Sequence, residues 1–154
     1  GKDSVQYEWI KKDLENAQTA RWRIVYFHAP PERGASGASA ELMALLKEKN
    51  VDLVISGHAE RPSLSLDDND SVPWVVLPSG GARARYFSNG GASACILDHK
   101  KRFGIATFHV EQNSLAGRLT SSQGDPIATF ELKKGQNQAR AELPTYDVDA
   151  ENCE

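Results

Sequence analysis

Apolar residues in the first part of the chain recur at the spacing of an amphipathic helix. Five of them fall on one side: Val5, Trp9, Ile10, Leu14 and Ala17. Asp3 is predicted to cap the N-terminus of this helix, with Gln6 as its reciprocal partner. The pattern therefore predicts a first helix that buries this apolar side.

A strand–helix–strand unit is predicted next. Residues 22–27 are aromatic and β-branched, which is typical of a strand, and prolines soon after His28 end it. A helical segment rich in leucine follows, and then residues 51–55 predict a second buried strand that ends at His58. Such crossovers favour parallel pairing, so we expect both histidines at the carboxyl end of one sheet, where ligands bind in open α/β sheets.

The pattern changes in the second half of the chain. The polar stretch between His58 and Trp74 is predicted as a loop, and residues 74–77 as a short strand. Four alternating runs then follow, separated by polar turns: residues 93–98, 104–111, 114–121 and 126–132. Alternation interrupted by tight turns predicts an antiparallel meander. We expect one domain over residues 1–134 and an acidic polar tail over residues 135–154, either mobile or draped over the surface.

Composition and charge narrow the function classes. The chain has 154 residues, of which 40% are hydrophobic and 25% charged, with a net charge of −3. These values are ordinary for a soluble globular domain and give no basic field for nucleic acid or an anionic membrane. Apolar runs are too short to span a bilayer. The compartment stays open, with secretion or a periplasmic location among the alternatives.

The candidate chemistry lies at the two predicted strand ends. Each histidine alone reads as a hydrogen-bonded loop residue, but two imidazoles at adjacent strand ends can converge on one metal ion. Gly57 is expected to let the backbone turn sharply before His58. Glu60 is predicted either to add an oxygen ligand or to be solvated. Arg83 and Arg85 are candidates to bind phosphate oxygens, and a solvated loop is the competing interpretation.

These segments resemble purple-acid-phosphatase-like members of the calcineurin-like metallophosphoesterase family. Residues 6–14, QYEWIKKDL, resemble a helix of that family. Residues 23–31, RIVYFHAPP, look like its strand ending in a ligand histidine followed by proline. Residues 51–58, VDLVISGH, are similar to its next strand with a Gly-His signature, and residues 76–81, VLPSGG, to a later glycine turn.

The resemblance implies the C-terminal half of an α/β/β/α sandwich, with mixed sheets, a βαβ unit and an antiparallel meander. It implies hydrolysis of a phosphate-ester substrate by two divalent metal ions, which could be Fe, Mn or Zn. His28 and His58 would be metal ligands.

Two departures from the family pattern change what is expected of this chain. The usual Gly-His-x-His signature reads Gly57-His58-Ala59-Glu60 here, so a carboxylate stands where the second histidine would be. The Asp-x-His and Gly-Asn-His-Glu segments of the family's N-terminal half do not occur in the sequence, and its one Gly-Asp, Gly124-Asp125, lies in a predicted turn between two strand-like runs. We therefore expect the isolated chain to be inactive and to need an N-terminal half of the same fold, or self-association, to cover it. The alternatives are a non-catalytic relative used for binding and a plain interaction domain.

Overall fold

The computed structural model describes residues 2–31, 40–66, 72–82, 95–96, 103–135 and 140–142. Among these residues, those in the first part of the chain form two helices and five short strands: α1 (Val5–Asn16), β1 (Ile24–Tyr26), α2 (Ala40–Glu48), β2 (Leu53–Ser56), β3 (Ser63–Ser65), β4 (Trp74–Val76) and β5 (Cys95–Ile96). The second part forms four strands: β6 (Gly104–Val110), β7 (Ser114–Ser121), β8 (Pro126–Lys133) and β9 (Arg140–Glu142). Among the described residues, no helix is long and apolar enough to cross a membrane.

The first sheet is mixed and has the strand order β1-β2-β4-β3-β5. β1, β2 and β4 are parallel, and Val25 of β1 is level with Val54 of β2. β3 is antiparallel to both β4 and β5. The predicted strand–helix–strand unit is therefore confirmed, and the carboxyl ends of β1 and β2 lie side by side.

The second sheet is an antiparallel meander in the order β6-β7-β8-β9, which confirms three of the four runs predicted for it. The prediction was wrong for residues 93–98, because β5 pairs with β3 in the first sheet instead. At the centre of the second sheet Phe130 of β8 is level with Gly117 of β7. A Cβ atom on Gly117 would lie 2.3 Å from the Phe130 ring, so glycine is required for this close approach. The ring fills the space that a side chain at Gly117 would take.

The two sheets and the helices enclose two apolar clusters. The inner cluster lies between the sheets, and the outer cluster lies between the first sheet and the helices. The buried inner residues are Leu53, Leu64, Val75, Leu115, Leu119, Ile127, Ala128, Phe130 and Leu132. The buried outer residues are Leu14, Leu46, Val51, Val54, Val72, Trp74 and Val76. Residues in β2 and β4 alternate between the two clusters, as the strand period requires.

Polar contacts join the two sheets at opposite ends of β6. Beyond the C-terminal end of β6, the Trp22 indole donates a hydrogen bond to the Glu111 carbonyl at 2.6 Å. At the other end, Ser79 forms a parallel bridge with Phe103, and the Gly104 amide donates to the Ser79 carbonyl at 3.1 Å. Trp22 precedes β1 and Ser79 follows β4. β6 therefore runs from the C-terminal end of β4 to the N-terminal end of β1 and crosses the first sheet diagonally.

The first helix differs from the sequence prediction in its N-cap and in the burial of its apolar side. Its N-cap is Ser4 rather than Asp3, because the Ser4 hydroxyl accepts the Tyr7 amide at 3.2 Å. Its predicted apolar side is only partly buried, since Val5 is 89% exposed and Trp9 63% exposed, whereas Leu14 is buried. The C-terminal end of the helix packs on the sheet, whereas its first turns are not covered by any of the described residues.

Two strands form where the sequence predicts none. β3 lies within the stretch predicted as a polar loop, and its Leu64 is fully enclosed in the inner cluster. β9 lies within the predicted acidic tail and pairs with β8. Both segments are too short and too polar to show strand alternation, and pairing with a neighbouring strand gives them their conformation.

Candidate metal centre

His28 and His58 follow the ends of two neighbouring parallel strands. Two backbone hydrogen bonds extend the pairing of β1 and β2 beyond the strands. The Phe27 amide donates to the Ile55 carbonyl at 3.1 Å, and the Gly57 amide donates to the His28 carbonyl at 3.2 Å. On the other side, the Leu77 amide donates to the Ser56 carbonyl at 2.8 Å. The backbone that carries both imidazoles is therefore fixed by the sheet.

The two imidazole rings face each other. His28 Nε2 lies 2.9 Å from His58 Nδ1, the ring centroids are 4.8 Å apart, and the planes meet at 81°. Both side chains are exposed to solvent. At this distance the N–H of one ring donates a hydrogen bond to the nitrogen of the other ring when no ion is bound. The convergence expected from the sequence is thus present.

The spacing of the two nitrogens fits a shared ion. Atoms 2.9 Å apart can both lie at the roughly 2.0–2.1 Å typical of a zinc–imidazole bond, with an angle of about 90° at the ion. This angle is closer to octahedral than to tetrahedral coordination, which suits ions such as manganese. A bound ion would take the place of the proton that the nitrogens otherwise share.

The turn after β2 has an unusual backbone. His58 and Glu60 adopt left-handed conformations, with φ of 65° and 58°, and the Ala59 amide donates to the Gly57 carbonyl at 2.7 Å. Such conformations cost about 1–3 kcal/mol in a residue other than glycine and cluster at functional sites. The sequence assigned the sharp turn to Gly57, but His58 itself makes it.

The remaining candidates do not join the pair in a larger cluster. Among the residues that the structure describes, no three His, Cys, Asp or Glu side chains are grouped to hold a metal ion. Glu60 is half-buried, and its role as a third ligand stays a prediction. Arg83 and Arg85 lie outside the described residues.

Sequence reasoning missed Ser56, which lies two residues before His58. Its side chain is buried, at 3% exposure, and within the described part of the chain its hydroxyl has no hydrogen-bond partner. Buried polar atoms are usually paired. A serine that ends an apolar strand beside a candidate ligand was the available signal.

Comparison with protein families finds one match. Residues 1–61 match the family of calcineurin-like phosphoesterases, a range that includes both histidines. No curated protein sequence matches the chain. The resemblance seen in the sequence is confirmed over this range.

Two solved structures share the fold. The chain superimposes on GAP50, the anchor in the inner membrane complex of Plasmodium, with a TM-score of 0.69 and 24% identity, covering 84% of this chain and 44% of GAP50. It superimposes on the purple acid phosphatase PPD1 from yellow lupin (Lupinus luteus) seeds with a TM-score of 0.72 and 19% identity, covering 86% of this chain and 28% of the lupin chain. The fold is that of a metallophosphoesterase, and the chain spans less than half the length of either neighbour.

Proposed function

We propose that this chain supplies part of a metal-dependent phosphoric-ester hydrolase with a dinuclear metal centre. The observation that carries the proposal is the imidazole pair, whose nitrogens converge to 2.9 Å within the family-matched residues. Two rigid strands deliver the pair to the sheet edge where α/β folds bind ligands.

The roles of the individual residues follow from their donor atoms. His28 and His58 hold one ion through neutral imidazole nitrogens, and Glu60 adds an oxygen ligand that favours iron or manganese over zinc. Arg83 and Arg85 bind the phosphoryl oxygens of the substrate. When bound, paired divalent ions polarise the phosphoryl group and supply a hydroxide nucleophile.

The donor set among the described residues is too small for catalysis by itself. Catalytic ions commonly have three or more protein ligands, and the described residues contribute two converging nitrogens. The remaining ligands of the proposed centre come from an N-terminal half of the same fold, on the same or another polypeptide. The proposed activity is therefore that of the completed fold.

Metal titration of the purified chain tests the ligand assignment. Calorimetry with Mn²⁺ and with Zn²⁺ should give one weak site, and His28→Ala or His58→Ala should each lower its affinity at least tenfold, because half of the nitrogen donors is lost. His109→Ala is the matched control, since His109 is an exposed histidine that contacts Glu111 on the second sheet. Equal affinity in all three variants would refute the assignment.

A non-catalytic role is the second candidate. Two observations favour it: Glu60 stands where the family signature has a histidine, and GAP50, which shares the fold, is named as an anchor. Metal content of the completed protein separates the candidates, because the hydrolase should hold two ions and the binding protein one or none.

A further inference from the structure

The second sheet has one apolar face and one polar face. Side chains along its strands alternate between the two, and the inner cluster takes those that point toward the first sheet, among them Phe108, Leu115 and Phe130. The side chains between them point the other way and form what we call the polar face: Ile105, Thr107, His109, Ala116, Arg118, Thr120, Thr129, Glu131 and Lys133.

The composition of the polar face indicates contact with water rather than with another layer. Two rows of side chains cross its centre from β6 to β8: Thr107–Arg118–Thr129 and His109–Ala116–Glu131. Helices that cover a sheet pack against apolar side chains, whereas a solvated sheet face alternates as this one does. We therefore expect the polar face to stay open when an N-terminal half completes the fold.

A hollow of about 640 Å³ lies between the two rows. Its volume falls in the range of roughly 300–1,000 Å³ that is usual for small-molecule sites. Phe108 and Phe130, which lie between the rows, direct their rings into the inner cluster. Gly117 between them has no side chain, and Ala116 adds only a methyl group. The hollow therefore exists because the centre of β7 carries its two smallest residues.

Arg118 gives the hollow an unbalanced positive charge. Two other charged side chains of its lining neutralise each other, because Lys133 Nζ lies 3.2 Å from Glu131 Oε2. His109 Nε2 is turned to Glu111 Oε1 at 3.2 Å. The Arg118 side chain is exposed, and among the described residues it has neither a hydrogen bond nor an ion pair. Its five N–H donors are thus available to a ligand.

We propose that this hollow binds a small ligand through an oxyanion group, a phosphate or a carboxylate, which Arg118 holds. The planar guanidinium matches two oxygens of such a group at once. Thr107 and Thr129 are level with Arg118 on the neighbouring strands, so both border the same space. The remainder of the ligand lies over Ala116 and Gly117, where no large side chain fills the room.

The site is rigid before a ligand arrives. β7 pairs with β6 and with β8 over most of its length, and sites on paired strands hold their geometry better than sites on loops. The Phe130 ring packs closely against Gly117 from the inner side, which fixes the floor of the hollow. A preformed site of this kind loses little conformational freedom on binding. The site is separate from the histidine pair and does not rest on the proposed function.

NMR titration of the isotope-labelled chain tests the site, with inorganic phosphate and acetate as the probes. A chelator is present, and sodium chloride holds the ionic strength constant. We expect saturable shifts at the amides of Thr107, Ala116 and Arg118, with a dissociation constant on the order of 1 mM, because a lone oxyanion fills little of the hollow. Tighter binding of phosphate assigns a phosphorylated ligand, and tighter binding of acetate assigns a carboxylate.

Three variants should weaken or spare this binding in a set order. Arg118→Gln should lower the affinity at least tenfold, and Arg118→Lys should lose most of it, because an ammonium group cannot form the two-oxygen contact. Ala116→Leu keeps every charge but fills the hollow, so it should also weaken binding. Lys12→Gln removes the same charge from an exposed position on α1 and is the matched control, with no change expected.

Several outcomes would overturn the site. They are an absence of saturable shifts with both probes, an affinity unchanged in Arg118→Gln or in Ala116→Leu, and an equal loss in Lys12→Gln, which would indicate general charge attraction. The titration is repeated with His28→Ala: binding that persists keeps this site even if the metal proposal fails, and binding that disappears would move the anion to the histidine pair. Thermal unfolding checks that each variant is folded, as exposure of Arg118 and Ala116 leads us to expect.

Discussion

His58 and Glu60 show how single residues are strained to form the candidate centre. Both adopt positive φ within a turn held by the Ala59–Gly57 hydrogen bond. Asparagine adopts this conformation more readily than glutamate, because its short polar side chain bonds locally to the backbone. A substitution that relieves this strain should raise the free energy of unfolding.

Glu60→Asn should raise the free energy of unfolding by about 1 kcal/mol, since it removes part of the left-handed penalty. Chemical denaturation measures the change. Glu60→Gln is the matched control, because it removes the charge but keeps the shape and the backbone cost. Equal stabilisation by both variants would show that charge, rather than strain, governs this position.

Single residues also show which features of the candidate centre the sequence can predict and which it cannot. Histidines after strands could be predicted from the sequence, because apolar runs and prolines mark the strand ends. The left-handed backbone could not, since glycine is the residue that usually signals it and Gly57 stood one position away. Ser56 could be noticed as a serine at the end of an apolar strand, but the burial of its hydroxyl could not be predicted, because it depends on the neighbouring strands.

Among the elements, those with strong apolar patterns could be predicted from sequence. β2 and β4 lie inside near-continuous apolar runs, and β7 alternates along its whole length. β3 reads Ser-Leu-Ser and β9 reads Arg-Ala-Glu, so neither carries enough pattern to be found alone. At the start of α1 the apolar pattern is strong but the residues are exposed, because an apolar stripe does not reveal whether a neighbour covers it.

The contact between Gly117 and Phe130 tests the packing of the second sheet. Gly117→Ala should destabilise the chain by about 1–3 kcal/mol, because the added methyl group would overlap the Phe130 ring. Thermal or chemical unfolding measures this loss. Gly80→Ala is the control, since a Cβ there meets nothing within 4 Å and its φ is not positive. A loss as large in Gly80→Ala would mean that glycine replacement, rather than overlap, is the cause.

Considered as a whole molecule, the described residues form three of the layers expected of the fold. Helices cover one side of the first sheet and the second sheet covers the other, but the cover ends near the histidine pair. The order of the elements predicted an α/β part followed by an antiparallel part, and the family resemblance implied the layer order. The diagonal course of β6 could not, because it depends on contacts between residues far apart in sequence, such as Trp22 and Glu111.

The described residues contribute two converging nitrogens, and this small donor set leads to an expectation for activity. The purified chain should hydrolyse p-nitrophenyl phosphate no faster than its His28→Ala/His58→Ala double variant, with Mn²⁺ or Zn²⁺ present. The physical reason is that two converging nitrogens cannot hold and position two catalytic ions. Turnover at ordinary enzymatic rates, lost in the double variant, would show that this chain carries a complete centre.

The central claim is that His28 and His58 bind the same ion. X-ray absorption spectroscopy of the chain loaded with one equivalent of Zn²⁺ tests it most directly. We expect a first shell that includes two imidazole nitrogens at about 2.0–2.1 Å, with one of them lost in either alanine variant. A shell with fewer than two imidazoles in the unaltered chain, or one that stays unchanged when either histidine is replaced by alanine, would contradict the claim.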